Sequence, residues 1–224
     1  MVDETARAAD DIGGGLPRRE RGSVNDRETL SVYDARAAEY AESFGKDHAA
    51  DPSLRAFIDA LPDGAKVLDL GCGPGTWAAA MLADGLEVDA VDASAGMVAQ
   101  ARRVPGLQVR QASFDEIDAV HVYDGIWANF SLLHAPRDDM PGHLAGLHLA
   151  LKPGGLMHIG LKTGRGAARD GLGRFYTYYT VTEMTGLLEA LGLSVGDLRE
   201  GADKGLDGVV AGWFTLTARK PQQE

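Results

Sequence analysis

Residues 67–75 read Val-Leu-Asp-Leu-Gly-Cys-Gly-Pro-Gly, and they constrain the fold of this chain more than any other stretch. A short apolar run ends in Asp69, a turn with three glycines follows, and residues 76–82 have the composition of a helix. A strand, a glycine turn and a helix in this order form a ligand crevice at the carboxyl end of the first strand of an α/β domain. Glycine lets a ligand approach the backbone closely, and the helix start offers unpaired N–H groups to an anionic group.

The glycine spacing distinguishes two families of nucleotide-binding proteins. The dinucleotide fingerprint is G-x-G-x-x-G, whereas this chain has G-x-G-x-G with Thr76 at the third glycine position, which disfavours a nicotinamide oxidoreductase. The nine-residue run instead resembles motif I of the class I methyltransferases that use S-adenosylmethionine. This resemblance implies cofactor contacts from Asp69, Gly71, Cys72, Gly73, Gly75 and Thr76.

Two further segments are similar to the same family. Residues 123–130, which begin with Tyr-Asp, resemble its motif IV, and Leu-Lys-Pro-Gly-Gly-Leu at 151–156 resembles the turn before its fifth strand. The resemblance covers roughly residues 30–218. It implies a Rossmann-like α/β fold with helices on both faces of a seven-stranded, mostly parallel sheet of order 3-2-1-4-5-7-6. The last two strands are expected at 193–198 and 209–218, as an antiparallel pair.

The remaining cofactor contacts are expected after strands two, three and four. Asp92 follows the apolar run 87–91 and can accept hydrogen bonds from both ribose hydroxyls, although it could also cap the next helix, a role that suits Ser94 better. The usual acidic residue after strand three is absent, and Gln111 or Ser113 stands there instead. Met97 and Phe114 are equally typical of core positions. The resemblance places Ala93, Met97, Ser113 and Phe114 near the adenosine, and Asn129 and Phe130 near the methionine part.

The N-terminal part of the chain divides into a tail and a helical cover. Residues 1–24 show no hydrophobic period and are expected to be a disordered tail, whereas residues 25–220 form one domain that begins with cover helices over 25–62. Asn25 or Asp26 can cap the first helix, which runs to about Phe44. Tyr33 and Tyr40 are seven residues apart and share a helix face. The segment resembles the family's cover helix, with Tyr33 over the cofactor and Tyr40 over the acceptor, but a plain amphipathic helix has the same pattern.

The acceptor side of the crevice is expected after strands four and five. His134 is the candidate general base because an imidazole titrates near neutrality, but a histidine after a strand is often structural. Residues 163–175 read as one glycine-rich polar loop. We expect Arg174, Tyr176 and Tyr178 to line the acceptor pocket, where the Arg174 cation would suit an acidic acceptor.

The amino-acid composition limits which classes of partner the chain is expected to bind. The net charge of −11 disfavours nucleic acid, although a basic cluster from Lys162 to Arg174 could override this locally. One cysteine and no H-x-x-x-H spacing argue against a metal site. The chain has no apolar run of the ~18 residues that span a bilayer, so we expect no membrane partner and a cytoplasmic location.

These observations favour a methyltransferase that transfers a methyl group from S-adenosyl-L-methionine to a small-molecule acceptor by in-line displacement, with S-adenosyl-L-homocysteine as product. The chain is expected to be a monomer or homodimer. Alternatives are a transfer-RNA methyltransferase, a tellurite-type metalloid methyltransferase, and a non-catalytic regulatory protein that binds S-adenosylmethionine. The sequence identifies neither the acceptor nor the methylated atom.

Overall fold

The computed structural model describes residues 26–44 and 48–222. Six α-helices lie within these residues: α1 (Arg27–Phe44), α2 (Pro52–Asp59), α3 (Thr76–Ala83), α4 (Ala95–Ala101), α5 (Met140–Ala150) and α6 (Val181–Glu189). The strands of the same residues are β1 (Lys66–Leu70), β2 (Glu87–Asp92), β3 (Gln108–Gln111), β4 (Tyr123–Asn129), β5 (Leu151–Lys162), β6 (Ala167–Arg169), β7 (Phe175–Thr177), β8 (Ser194–Lys204) and β9 (Val210–Arg219). None of the described helices combines the length and apolar character that crossing a bilayer requires.

Seven strands form the main sheet in the order β3-β2-β1-β4-β5-β9-β8. Strands β1 to β5 pair in parallel, and β9 runs antiparallel to both of its neighbours. Counted within this sheet alone, β8 and β9 are the sixth and seventh strands, so the predicted order 3-2-1-4-5-7-6 is confirmed. Because parallel strands end at the same edge, the carboxyl ends of β1, β2, β4 and β5 meet there.

The core lies on both faces of the sheet. Successive residues of β1 point to opposite faces, so Val67 packs with Phe57 and Trp127 on one side while Leu68 packs with Ile126 on the other. Burial on both faces explains why the central strands are nearly continuous apolar runs. This buried sheet holds the strand ends in fixed positions.

Side-chain caps define the starts of the helices that border the crevice. Asp26 Oδ1 accepts hydrogen bonds from the N–H groups of Glu28 and Thr29, as one of the two predicted caps of α1. The other, Asn25, lies outside the described residues, as does the predicted tail at 1–24. Ser94 caps α4 by accepting from the N–H of Met97, which leaves Asp92 free of that role.

Two segments differ from the sequence prediction. The segment 163–175, predicted as a loop, instead contains β6 and the first residue of β7. These two strands pair in antiparallel fashion, with Ala167 opposite Thr177. Strand β8 continues to Lys204, six residues beyond its predicted end, because it pairs along the whole length of β9. Both strands are largely exposed, so no hydrophobic alternation marked them in the sequence.

Candidate functional site

A cavity of about 560 Å³ lies at the edge where the parallel strands end. Its floor is the turn after β1 together with the ends of β2 and β4. Helix α1 contributes Tyr33 and Tyr40, and the β8–β9 hairpin contributes residues 203–206 together with Ala211 and Trp213. The sequence reasoning missed the hairpin as a wall of the site.

Each of the three glycines in the turn after β1 is needed for a different structural reason. All are in the left-handed region, with φ of +71° at Gly71, +54° at Gly73 and +83° at Gly75. A Cβ at Gly71 would lie 2.3 Å from the Cβ of Ser131, and Gly75 packs closely against α4. A Cβ at Gly73 would meet no atom nearer than Tyr40 Cε1 at 3.9 Å, so this glycine leaves its backbone open to the cavity.

Asp92 lies at the end of β2 with its carboxylate fixed by the backbone. Its Oδ2 accepts from the N–H of Gly73 and its Oδ1 from the N–H of Ser94, both at 2.8 Å. Burial raises the pKa of Asp92 to about 6 against these hydrogen bonds. Each carboxylate oxygen has a second lone pair, so the ionised side chain could accept from two neighbouring hydroxyls.

The wall beyond Asp92 suits a flat heteroaromatic ring. Met97 and Phe114 line it, and the ring of Phe114 makes an edge contact with the imidazole of His143 at 5.5 Å. Asp115 also faces the cavity, with one carboxylate oxygen 3.4 Å from His143 Nδ1. Sequence reasoning missed Asp115, because an acidic residue was sought directly after β3 rather than in the short 3-10 helix that follows it.

The end of β4 is held in an unusual conformation. Phe130 has φ of +56°, which is rare for a residue with a side chain, and its N–H donates to the carbonyl of Gly160. The side-chain oxygen of Asn129 lies 3.1 Å from His158 Nε2, and a Cβ at Gly160 would lie 2.4 Å from that oxygen. Burial lowers the pKa of His158 to about 3, so the ring is neutral and donates its proton to Asn129. Such strain is typical of functional sites.

His134 is hydrogen-bonded through both ring nitrogens. Its Nδ1 lies 2.6 Å from the carbonyl oxygen of Phe175, which can only accept, so Nδ1 carries the proton and Nε2 accepts from the Tyr33 hydroxyl at 2.8 Å. Burial lowers the pKa of His134 to about 4. A proton from an acceptor could therefore reach Nε2 only through the Tyr33 hydroxyl or after Tyr33 moves away.

Arg174 is buried with its charge paired. Its side chain is 3% exposed, and its Nε and Nη2 donate to Asp170 Oδ2 at 2.9 and 2.6 Å. Nη1 donates to the Tyr33 hydroxyl at 3.2 Å. The basic cluster predicted over 162–174 is thus partly neutralised, since Arg169 also pairs with Asp26 and Glu28.

Lys162 is the last residue of β5 and faces the cavity. Its Nζ lies 3.9 Å from the centre of the Tyr176 ring, which in turn lies 4.7 Å from the ring of His134. No ion pair or hydrogen bond of this ammonium group to any residue in 26–44 or 48–222 is present. Sequence reasoning included Lys162 only as part of the basic cluster.

The cavity brings together most of the residues that the sequence predicts for the site. Its wall includes Tyr33, Tyr40, Gly71, Cys72, Gly73, Thr76, Asp92, Ala93, Met97, Phe114, Asn129, Phe130, His134, Arg174 and Tyr176. Four others do not line it: Asp69, Gly75, Ser113 and Tyr178.

Two of these four have structural surroundings that explain their position. Asp69 is buried beneath the turn, where burial and the nearby Asp92 carboxylate raise its pKa to about 8. The hydroxyl of Ser113 is bonded to Glu116 in the cap of the 3-10 helix. Among the described residues, no three histidine, cysteine or acidic side chains are grouped to hold a metal ion.

Comparison with known proteins agrees with this geometry. Residues 67–155 match a family model described as a methyltransferase domain. A crystal structure of the 1,6-didemethyltoxoflavin-N1-methyltransferase of Burkholderia thailandensis superposes with a TM-score of 0.72 over 88% of both chains, at 24% identity. Residues 67–155 thus match the methyltransferase family, and the fold around them is that of the class I methyltransferases. The cofactor of this family is S-adenosylmethionine, and the Burkholderia structure contains S-adenosylhomocysteine.

Two curated relatives match only part of the class I domain. The S-adenosyl-L-methionine-dependent Diels–Alderase iliD of Neonectria sp. (strain DH2) is 34% identical over 99 residues, which are 43% of this chain and 38% of the relative. The malonyl-[acyl-carrier protein] O-methyltransferase of Enterobacter lignolyticus (strain SCF1) is 35% identical over 95 residues, or 42% and 37% of the two chains. The match thus spans less than two fifths of either relative's own length.

The residues around the cavity fit the family's cofactor. The open backbone at Gly73 is a cradle that a side chain would fill, and the Asp92 carboxylate has two acceptor positions left for a pair of hydroxyls. The two features are adjacent, and the hydrogen bond from the Gly73 N–H to Asp92 joins them.

Proposed function

We propose that the protein is an enzyme that transfers a methyl group from S-adenosylmethionine to a small-molecule acceptor by in-line displacement. The observation that carries this proposal is the continuity of one cavity of about 560 Å³, which extends from Asp92 past Asn129 to the aromatic cluster around Tyr33 and His134. Its volume is in the range of ordinary small-molecule sites. A cofactor end and an acceptor end that share one cavity are what a direct transfer requires.

In this proposal the chain's residues bind the cofactor through four kinds of contact. The Asp92 carboxylate accepts from the ribose hydroxyls, and the backbone at Gly71 and Gly73 approaches the cofactor closely. Asp115, Phe114 and Met97 surround the adenine. The backbone carbonyls around Asn129 and Phe130 accept from the ammonium group, which the fixed conformation of that corner supports.

In this proposal the chain accelerates the reaction mainly by positioning the two reactants and by excluding water from them. When bound, S-adenosylmethionine supplies a methyl group already activated by a sulfonium. Tyr33 and Tyr40 on α1 cover the cavity from one side, and the β8–β9 hairpin covers it from the other. Holding two reactants in line in such an enclosure supplies much of the acceleration of a bimolecular reaction. An acceptor that arrives deprotonated needs no general base.

Calorimetric titration with S-adenosylmethionine and S-adenosylhomocysteine tests the cofactor end. We expect binding by the unmodified chain, weakening of at least tenfold in Asp92→Ala, and no change in Asp63→Ala, which alters an exposed turn. Absence of binding by either compound would refute the proposal.

Turnover is then measured with methyl-labelled S-adenosylmethionine and a panel of small acceptors. Because one relative is named a Diels–Alderase, consumption of each acceptor should be followed separately from label transfer. Label in the acceptor supports the proposal. Acceptor consumption without any label transfer, in the presence of bound cofactor, would argue for a non-methylating enzyme instead.

A further inference from the structure

We propose that Lys162 binds an anionic oxygen of the acceptor, and that the acceptor is a planar aromatic acid. This inference rests on the proposed function, because it assigns the substrate class of the same cavity. It depends on three observations: the lack of a counter-ion for Lys162 in the described part of the chain, the flat walls around it, and the two hydrogen bonds of the nearby His134.

Lys162 differs from Arg174, the buried cation of the same wall, in having no counter-ion among the described residues. Arg174 is held by Asp170 through two hydrogen bonds, so its charge is already compensated. The Lys162 ammonium has three N–H donors, and no described residue accepts from them. Asp207 and Asp170 act on it only through space, and burial together with Arg174 lowers its pKa. Apart from the face of the Tyr176 ring, this partly buried cation has no compensating group in contact with it within 26–44 and 48–222, and an anionic ligand would supply one.

The surfaces next to Lys162 are flat and aromatic. The ammonium lies over the face of Tyr176, and Trp213 lies on the neighbouring strand opposite Lys162 itself. Phe130 makes an edge contact with Trp213 at 6.2 Å between ring centres. Both Phe130 and Trp213 face the cavity. Aromatic walls at this spacing favour a planar unsaturated ligand, whose ring they can stack or pack against edge-on.

The imidazole near Lys162 already has a hydrogen-bond partner on each nitrogen, since His134 uses them for Tyr33 and Phe175. An acceptor that is already anionic avoids the need for proton removal, and its charge would also be attracted to the positively charged methyl donor.

The test uses 2-naphthoate and 2-naphthamide, which share shape but differ in charge, as probes of the protein saturated with S-adenosylhomocysteine. Isothermal titration should show the naphthoate binding about tenfold more tightly than the amide, as expected for one charge-assisted hydrogen bond. Lys162→Met keeps the length of the side chain without its charge and should remove this preference. Lys162→Arg should retain it, and so should Lys66→Met, which removes a lysine at the amino end of β1, outside the cavity wall.

The affinity for S-adenosylhomocysteine, measured first in every variant, separates the two proposals. Intact cofactor binding without any naphthoate preference in the unmodified chain, or with the preference retained in Lys162→Met, overturns the assignment of Lys162 and leaves the methyltransferase proposal standing. Failure of both probes to bind the loaded protein also overturns it. Failure of S-adenosylhomocysteine itself to bind refutes the proposed function and this inference together.

Discussion

The hydroxyl of Tyr33 donates to His134 Nε2 at 2.8 Å and so connects the cover helix α1 to the segment after β4. The same hydroxyl accepts from Arg174, which Asp170 holds in turn. Four side chains from three parts of the chain therefore form one chain of hydrogen bonds beneath the acceptor end. Tyr33 therefore has two roles, since it covers the cavity and also forms part of the cavity's polar wall.

We expect the imidazole of His134 to remain neutral at every pH from 8 down to about 5, because burial lowers its pKa to about 4. Heteronuclear NMR of the ring nitrogens, assigned with His134→Gln, should show a protonated Nδ1 and an unprotonated Nε2 throughout this range. Titration near the ordinary value of about 6.5 would contradict the arrangement. A neutral ring of this kind is unable to supply a pH-dependent step near neutrality.

The same lowered pKa makes a prediction for stability. Between pH 6.5 and 4 the unfolded chain binds a proton at this histidine and the folded chain does not, so the free energy of unfolding falls as the pH falls. The loss attributable to His134 approaches about 3 kcal/mol. Urea unfolding of the unmodified chain and of His134→Gln should show a difference between them that narrows towards pH 4. A constant difference would contradict this prediction.

Cofactor affinity should depend on pH through Asp92. Its pKa of about 6 means that, below pH 6, a proton must leave the carboxylate before it can accept from two hydroxyls. The dissociation constant of S-adenosylhomocysteine should therefore rise about tenfold for each pH unit below 6. Asp92→Asn should bind about 10- to 100-fold more weakly and without this dependence. Calorimetry between pH 8 and 5 measures both; equal slopes in the two proteins would assign the dependence to another group.

Helix α1 can lie on α4 only because residue 96 is glycine. The N–H of Gly96 donates to Asp34 Oδ1 at 2.9 Å, and a Cβ would lie 2.9 Å from the Cα of Asp34. Gly96→Ala should therefore displace α1, speed proteolysis within it and weaken cofactor binding. Gly186→Ala, in a helix position with no atom within 4 Å, is the matched control and should stabilise the protein by up to about 1 kcal/mol. Equal proteolysis of both variants would refute the role of Gly96.

Removing Asp170 should destabilise the protein strongly. Asp170→Asn leaves the buried Arg174 cation without its counter-ion, which costs about 3–5 kcal/mol in comparable sites. The exposed pair Arg36–Glu39 is the control, where Glu39→Gln should cost less than about 1 kcal/mol. Urea unfolding measures both. Similar small losses would show that the Arg174 charge is solvated after all.

This pairing also changes what Arg174→Ala is expected to do. From the sequence alone, that substitution should raise the acceptor's KM with little effect on cofactor affinity. In the structure, the substitution removes a hydrogen bond to Tyr33 and leaves Asp170 buried without its partner. We therefore expect loss of stability and of cover-helix order as well, which thermal unfolding and proteolysis would detect.

The residues of the proposed cofactor end could be predicted from the sequence because their determinants are local. Glycines at left-handed positions and an acidic residue at a strand end are visible in short stretches, and the structure brings Gly71, Gly73 and Asp92 to one wall. The acceptor end could not, since it depends on tertiary contacts. Lys162 and Trp213 meet only because β5 pairs with β9, and Asp203 reaches the cavity through a strand whose exposed residues show no alternation.

The outer part of the β8–β9 hairpin contributes to the cavity wall without contributing to the core of the sheet. Residues 203–206 and Ala211 line the cavity, yet no residue in 199–212 belongs to either hydrophobic cluster that stabilises the sheet. Changes of length or side chain there can alter which molecules fit while the free energy of folding stays nearly constant. A few substitutions in this hairpin could therefore change substrate specificity while the rest of the domain stays the same.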